Sequence, residues 1–156
     1  MLNSKSSIKE WVEKYPFLKI KDNSVYPWLS IEEDSYEDCW MVNDLPEGWV
    51  NAFGDQMCSE LAVALGEYAD RWITLQVKEK YGSIRWYYSF ITVGLSDKEV
   101  EKINEVEELV SNIINKYDEI SYHTCAFCGA PATRKTTGWI MPICQTCFDE
   151  EYGDKS

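Results

Sequence analysis

Four cysteines stand near the C-terminal end of this 156-residue chain, as Cys125-Ala-Phe-Cys128 and, after fifteen residues, Cys144-Gln-Thr-Cys147. Two Cys-x-x-Cys pairs at this separation match a structural zinc site, in which each pair wraps a tight turn around the metal. Four thiolates complete the tetrahedron and leave no position for a catalytic water, so the expected role of Zn2+ is architectural. Gly129, directly after Cys128, suits the tight backbone of a metal knuckle. The segment Gly138-Trp139-Ile140-Met141 reads as a strand leading to the second knuckle. His123, two residues before Cys125, is an alternative ligand or a hydrogen-bond donor to one. Arg134, Lys135 and Trp139 offer the ribbon a recognition surface, although two cations are a weak footprint for nucleic acid.

A second constellation lies on a predicted β-hairpin over residues 72–92, turning near Tyr81-Gly82. Alternation pairs Ile73 with Phe90, Leu75 with Tyr88 and Val77 with Trp86, which places these six and Ile84 on one face. The other face then sets Lys78 opposite Arg85 and Gln76 opposite Tyr87, with Lys80 beside the turn. Like charges directly opposite one another are unfavourable, so a negative group is expected over them. Two sources are open. One is an internal carboxylate, such as one from the acidic loop Glu32 to Asp38; the other is a ligand anion or a partner's carboxylate, bound at Lys78, Lys80, Arg85 and Tyr87, with Tyr81 or Tyr87 as a stacking surface. A two-residue loop at Tyr81-Gly82 would force Tyr81 to positive φ, so a four-residue loop is expected.

Catalytic sets are poorly represented. His123 is the only histidine, and no carboxylate pair or phosphate-cradling Gly-rich loop is recognisable. Of the two remaining cysteines, Cys58 falls on a predicted helix as an inert core thiol, and the acidic loop before Cys39 would suppress its reactivity. These features predict a protein that is not an enzyme.

The elements that would carry these groups follow from periodicity and caps. Ser7-Ile8-Lys9-Glu10 has capping-box form, and Ile8, Trp11, Val12 and Tyr15 follow at helical spacing until Pro16. Residues 17–31 read as extended, with Tyr26-Pro27-Trp28 as an edge or turn. Asp44-Leu45-Pro46-Glu47 opens a long helix whose face is Trp49, Phe53, Met57, Leu61, Ala64, Leu65 and Tyr68, interrupted by Gly54 and Gly66. Ser96-Asp97-Lys98-Glu99 is a second capping box. It begins a helix to about Tyr117 with the stripe Val100, Ile103, Val106, Val110, Ile113 and Tyr117. The division expected is an α+β domain over 1–120, a four-cysteine ribbon over 121–148 packed on it, and an acidic tail over 149–156.

Composition sets outer bounds. Hydrophobic residues make up 45% of the chain and aromatics 14%, including seven Trp and ten Tyr, which is enough for a packed core. The net charge of -12 disfavours non-specific attachment to nucleic acid or anionic lipid, and reads either as solubility or as an acidic surface for a partner with a basic one. No apolar run approaches the roughly 18 residues of a membrane span, and Met1-Leu2-Asn3-Ser4-Lys5 lacks signal-peptide character. Cysteines disposed for metal suit a reducing, cytoplasmic setting.

The string Gln76-Val77-Lys78-Glu79-Lys80-Tyr81-Gly82-Ser83-Ile84-Arg85-Trp86-Tyr87 resembles a pattern in small bacterial and phage proteins. Those proteins pair a KEK(F/Y)G-x-(L/I)-R-(F/W)-Y hairpin with a preceding P-x-G-W helix start and a C-x-x-C-G-x-P ribbon. Pro46-Glu47-Gly48-Trp49 and Cys128-Gly129-Ala130-Pro131 carry the second and third motifs here. The resemblance spans residues 45–148 and implies a phage or prophage setting, hence a host cytoplasm, without an activity.

Together these readings give an α+β fold, with a small antiparallel sheet covered by helices and closed by a zinc ribbon. The expected function is that of a small acidic interaction protein that binds and inhibits or modulates a host protein; a homo-oligomer is compatible with the same sequence. The alternatives are an anion- or nucleotide-binding module on the basic hairpin face and a nucleic-acid-associated zinc ribbon.

Overall fold

The computed structural model describes residues 1–19 and 44–153. The expectations for the extended segment beyond Lys19, the acidic loop from Glu32 to Asp38, and Cys39 lie outside the described residues.

Local signals translate directly at two helix starts. Helix α1 (Ile8–Lys14) begins with a full capping box, Ser7 accepting from the Glu10 N–H while Glu10 accepts from the Ser7 N–H. Pro16 ends it, but Phe17 and Leu18 turn through a 3-10 segment (Pro16–Leu18) rather than extending. Both side chains are buried there. The second helix starts as predicted after Pro46. It runs as α2 (Glu47–Trp49), widens through a π-helical stretch at Val50–Gly54, and continues as α3 (Asp55–Leu65). Trp49, Phe53, Met57, Leu61 and Leu65 are buried along it. Gly66, at φ 50°, then turns the chain into a 3-10 segment (Gly66–Arg71), so Tyr68 leaves the predicted helical face.

Strands β1 (Trp72–Lys80) and β2 (Ser83–Phe90) pair antiparallel as the expected hairpin. Near the turn the register matches expectation, with Val77 opposite Trp86, Lys78 opposite Arg85 and Gln76 opposite Tyr87. Farther away it does not. An irregularity between Thr74 and Gln76 leaves Leu75 without a partner, so Thr74 faces Tyr88 and Trp72 faces Phe90. This bulge exchanges which side chains of β1 reach the apolar face. Trp72 stacks on Tyr88 with centroids 4.6 Å apart, and the Thr74 hydroxyl accepts from both Trp72 Nε1 (2.9 Å) and Trp86 Nε1 (3.2 Å). Two large buried indoles thereby obtain partners, which an aliphatic side chain at position 74 could not supply.

The loop also differs from expectation. It has two residues, with Tyr81 at φ 54° and Gly82 at φ 85°, as a type I′ turn requires. The shorter loop adds the pair Lys80 opposite Ser83 to the ladder, and the Glu79 carboxylate accepts the Gly82 N–H at 2.9 Å. Those contacts hold Tyr81 in a conformation that costs it on the order of 1 kcal/mol.

Helix α4 (Asp97–Tyr122) is capped by Ser96 and Glu99 as read, and extends five residues beyond Tyr117. The stripe buries Ile103, Val110 and Tyr117 and reaches Ser121, whose hydroxyl accepts the Ile84 N–H at 3.0 Å. The expected division after residue 120 thus falls inside α4. The core is shared across it: Trp11, Trp49, Trp72, Val110 and Tyr117 belong to the same cluster as Ala126 of the first cysteine pair. In the ribbon, Gly138–Met141 is not a strand, a bend lies at residues 137–139, and pairing occurs between β3 (Arg134–Lys135) and β4 (Pro142–Ile143). Directly after Cys144 the chain forms α5 (Gln145–Tyr152), which carries Cys147 and takes up the first part of the expected acidic tail.

Two carboxylates on α3 tie the helices together. Asp55 accepts from Lys14 Nζ (2.9 Å) and from the Tyr15 hydroxyl, and Glu60 accepts from Lys116 and the Tyr117 hydroxyl. Burial pushes both carboxyls up, but the ammonium and phenol donors outweigh it and hold them below the usual carboxylate range. A lowered folded-state pKa adds stability above the ordinary carboxylate range near pH 4, and that stability is lost as pH falls through the folded value. Asp55→Asn with Glu60→Gln should therefore flatten the decline in stability between about pH 5 and 3. Urea melts of both proteins across that range check it; parallel pH profiles would exclude the linkage.

Candidate metal centre and the hairpin–ribbon cleft

The geometry gathers the four predicted cysteines. The Sγ atoms of Cys125, Cys128, Cys144 and Cys147 all lie within 4.8 Å of one another, and Cys128 Sγ is 3.6 Å from Cys144 Sγ. Tetrahedral metal–sulfur bonds of about 2.3 Å place sulfurs about 3.8 Å apart, so the group has the size to hold a metal ion. None of the four is in a disulfide. Cys125 N–H donates to the Ala130 carbonyl at 2.7 Å, and Gly129 N–H closes the knuckle on the Cys125 carbonyl at 3.0 Å with φ 84°. Cys144 caps α5, its Sγ accepting the Cys147 N–H at 3.4 Å.

Burial pushes the Cys125 thiol up, but backbone N–H groups of Cys128, Cys144 and Phe127 reverse the effect and bring it down to about 7. Burial and the neighbouring thiols drive Cys147 the other way. Four crowded thiols thus cannot all ionise unaided, and a bound cation would release their protons. His123 sits outside the group, its Nε2 3.1 Å from Glu119 Oε1.

The ribbon docks on the start of α2. Gly48 N–H donates to the Ala126 carbonyl (2.8 Å), and Trp49 Nε1 donates to the Thr124 carbonyl (2.9 Å). A Cβ on Gly48 would fall 2.6 Å from the Ala126 carbonyl carbon, and one on Gly129 would fall 2.7 Å from the Gly48 oxygen. The Pro46-Glu47-Gly48-Trp49 and Cys128-Gly129 motifs are therefore two sides of one backbone contact.

The cationic residues separate into distinct environments. Arg85 Nη1 meets Asp118 Oδ2 of α4 at 3.3 Å, so its counter-charge is internal; the acidic loop considered for this role lies outside the described residues. Both side chains of the pair are more than a third exposed, at 38% and 36%. Arg85→Ala should accordingly cost no more than about 1 kcal/mol. A urea melt checks this, and a loss of several kcal/mol would mean that the guanidinium has a buried role. Tyr87 lies under Lys78, whose Nζ is 6.0 Å from the ring centroid. In the ribbon, Arg134 stacks on Phe148 at 3.3 Å, while Lys135 donates to the Tyr122 carbonyl at 2.9 Å and covers the Tyr122 ring. Both are engaged within the chain.

Lys78 and Lys80 instead line a cleft of about 340 Å³ between the hairpin tip and the ribbon bend, together with Glu79, Tyr81, Trp139 and Ile140. Arg85 and Tyr87 are not among its lining residues. Glu79, which the sequence motif contains without suggesting a role, organises the cleft: one carboxylate oxygen accepts from Trp139 Nε1 and the other from Gly82 N–H. Its alternation with Lys78 and Lys80 was visible in sequence, but its partner sixty residues away was not. No family model, curated protein or solved structure matches the chain. No helix among the described residues is long and apolar enough to cross a membrane.

Proposed function

We propose that this is a zinc-stapled, non-catalytic interaction protein that binds another protein and modulates it. The observation that carries the reading is the pair of exposed aromatic residues at the cleft, one held by its side chain and the other by its backbone. Trp139 is 71% exposed although its indole N–H is held by Glu79, and Tyr81 is 73% exposed on a strained turn. Exposed aromatics with restricted motion lose little entropy on binding and make effective anchors. The four-thiolate set supports zinc as the metal and a structural role for it, because thiolates favour zinc and leave no open coordination position. A chain at -12 favours partners with a basic surface at long range and disfavours nucleic acid. The phage setting, the inhibition of a host protein and the host cytoplasm rest on the motif resemblance alone.

A second reading is an anion- or nucleotide-binding module. Lys78 and Lys80 favour it, since neither has a carboxylate partner among the described residues. Affinity capture from bacterial lysate with the metal-loaded protein and with Trp139→Ala separates the two readings. A protein retained by the first and lost from the second supports the interaction reading. Capture that Trp139→Ala leaves unchanged removes the cleft from it, and a co-purifying nucleotide transfers the site to the second.

A further inference from the structure

We infer that the hairpin–ribbon cleft takes an extended peptide segment in which one bulky apolar side chain stands beside an Asp or Glu. This deepens, and rests on, the interaction reading above.

The turn carries a residue its backbone does not favour. The first position of a type I′ loop suits Asn, Asp or Gly. Here it holds Tyr81 at φ 54°, with a ring too exposed for packing to offset the strain. Strain retained at an exposed site points to use of the side chain rather than to folding. Across the cleft, Trp139 is oriented by Glu79, and Ile140 beside it is 50% exposed. The two walls meet through the Glu79–Trp139 hydrogen bond, and a Cβ on Gly82 would come into contact with the Ile140 carbonyl and Pro142 Cδ at 3.5 Å. Two rings and one aliphatic side chain thus form an apolar seat of a size suited to a side chain or two.

Charge selects the flank. Lys78 and Lys80 both line the cleft, Lys80 Nζ lies 5.6 Å from the Tyr81 centroid, and neither lysine has a carboxylate partner among the described residues. Both Glu79 oxygens are committed to N–H donors, yet its charge remains beside the cleft. Two cations against one anion match a single carboxylate. The further cations near the turn are engaged: Lys135, whose Nζ would lie 3.9 Å from a Cβ on Gly82, by the Tyr122 carbonyl and ring, and Arg85 by Asp118, which disfavours a phosphate chain. A basic flank would be repelled by both lysines. The chain's overall acidity can steer a partner that is basic elsewhere, while the cleft receives this one acidic-apolar segment.

The test uses the full metal-loaded chain and fluorescence anisotropy with labelled nine-residue peptides. One has a central Phe flanked by Asp and Glu, one has Lys in place of the acids, and ATP serves as competitor. The acidic peptide should bind, the basic one should bind at least about tenfold more weakly, and ATP should not displace it. Trp139→Ala should weaken binding about tenfold or more. Lys78→Gln with Lys80→Gln should weaken it several-fold, with a difference that shrinks as salt rises. Tyr81→Asn gives the sharpest signature: a melting temperature equal to or above wild type, because Asn suits the turn, together with about tenfold weaker binding. Equal binding of acidic and basic peptides, displacement by ATP, or full affinity in Tyr81→Asn would each overturn the inference. If lysate capture depends on Trp139 but no acidic peptide binds, the occupant is wrong and the interaction surface stands. If the peptide binds but Trp139→Ala leaves capture unchanged, the occupant stands and the surface assigned to the partner is wrong.

Discussion

Stripping the metal from the four-cysteine cluster should unfold the ribbon and loosen the start of α2 with it. The core around the cysteines is slight: Ile143 is the one non-cysteine side chain buried in that cluster, with Ala130 and Phe148 packed at the margin. Burying one such side chain stabilises by about 1.5–3 kcal/mol, whereas structural zinc in small domains contributes roughly 10–16 kcal/mol of apparent binding free energy at neutral pH. The metal term therefore dominates. Because Ala126 belongs to the main core and Thr124 holds the Trp49 indole, the loss should spread beyond the ribbon. Under reducing conditions, chelation should lower the melting temperature by more than about 10 °C, since each kcal/mol shifts it roughly 2–4 °C at this size. It should also change Trp fluorescence. Cys128→Ser should behave like the chelated protein. A metal-free protein that melts as the untreated one does would show that the ribbon stands on its own packing.

The second large effect is expected at a glycine. Gly48→Ala would ordinarily favour a helix by up to about 1 kcal/mol. Here the added methyl would enter the Ala126 peptide group at 2.6–2.7 Å and crowd the Cys125 carbonyl still more closely. Both obstacles are backbone held by the knuckle, so relief requires the ribbon to lift. Lifting strains the Gly48–Ala126 and Trp49–Thr124 hydrogen bonds together. We expect a destabilisation of about 3 kcal/mol, with metal affinity reduced as well. The sign is decisive in urea melts: a neutral or more stable Gly48→Ala would mean that α2 and the ribbon are not in this contact.

Much of the frame was legible because it is set locally. Ser7 with Glu10 and Ser96 with Glu99 place two helix starts, and the apolar stripe from Val100 to Tyr117 lies on the helix it predicts. The α+β class, the hairpin and the four-cysteine group follow in the same way. What failed depends on tertiary partners. The bulge at Leu75 lets Thr74 serve two indoles, an arrangement that strict alternation cannot express. The two-residue turn defies the preference of Tyr81 because Glu79, Gly82 and the ribbon bend support it. Asp118 was hidden as the partner of Arg85 because helix α4 was expected to end one residue earlier. The cleft was visible only as two unrelated lists, Lys78 and Lys80 on the hairpin and Trp139 on the ribbon. No periodicity connects segments sixty residues apart.

Every proposed property of the cleft depends on a ribbon held in place by the metal proposed for its four cysteines, and native mass spectrometry of the purified, reduced protein measures that metal directly. The prediction is one zinc per chain in the wild-type protein, with a mass increment reduced by the protons the thiols release, and no stoichiometric zinc in Cys125→Ser with Cys144→Ser. A wild-type chain carrying well under one metal ion, or one whose four thiols are found as two disulfides, would contradict it.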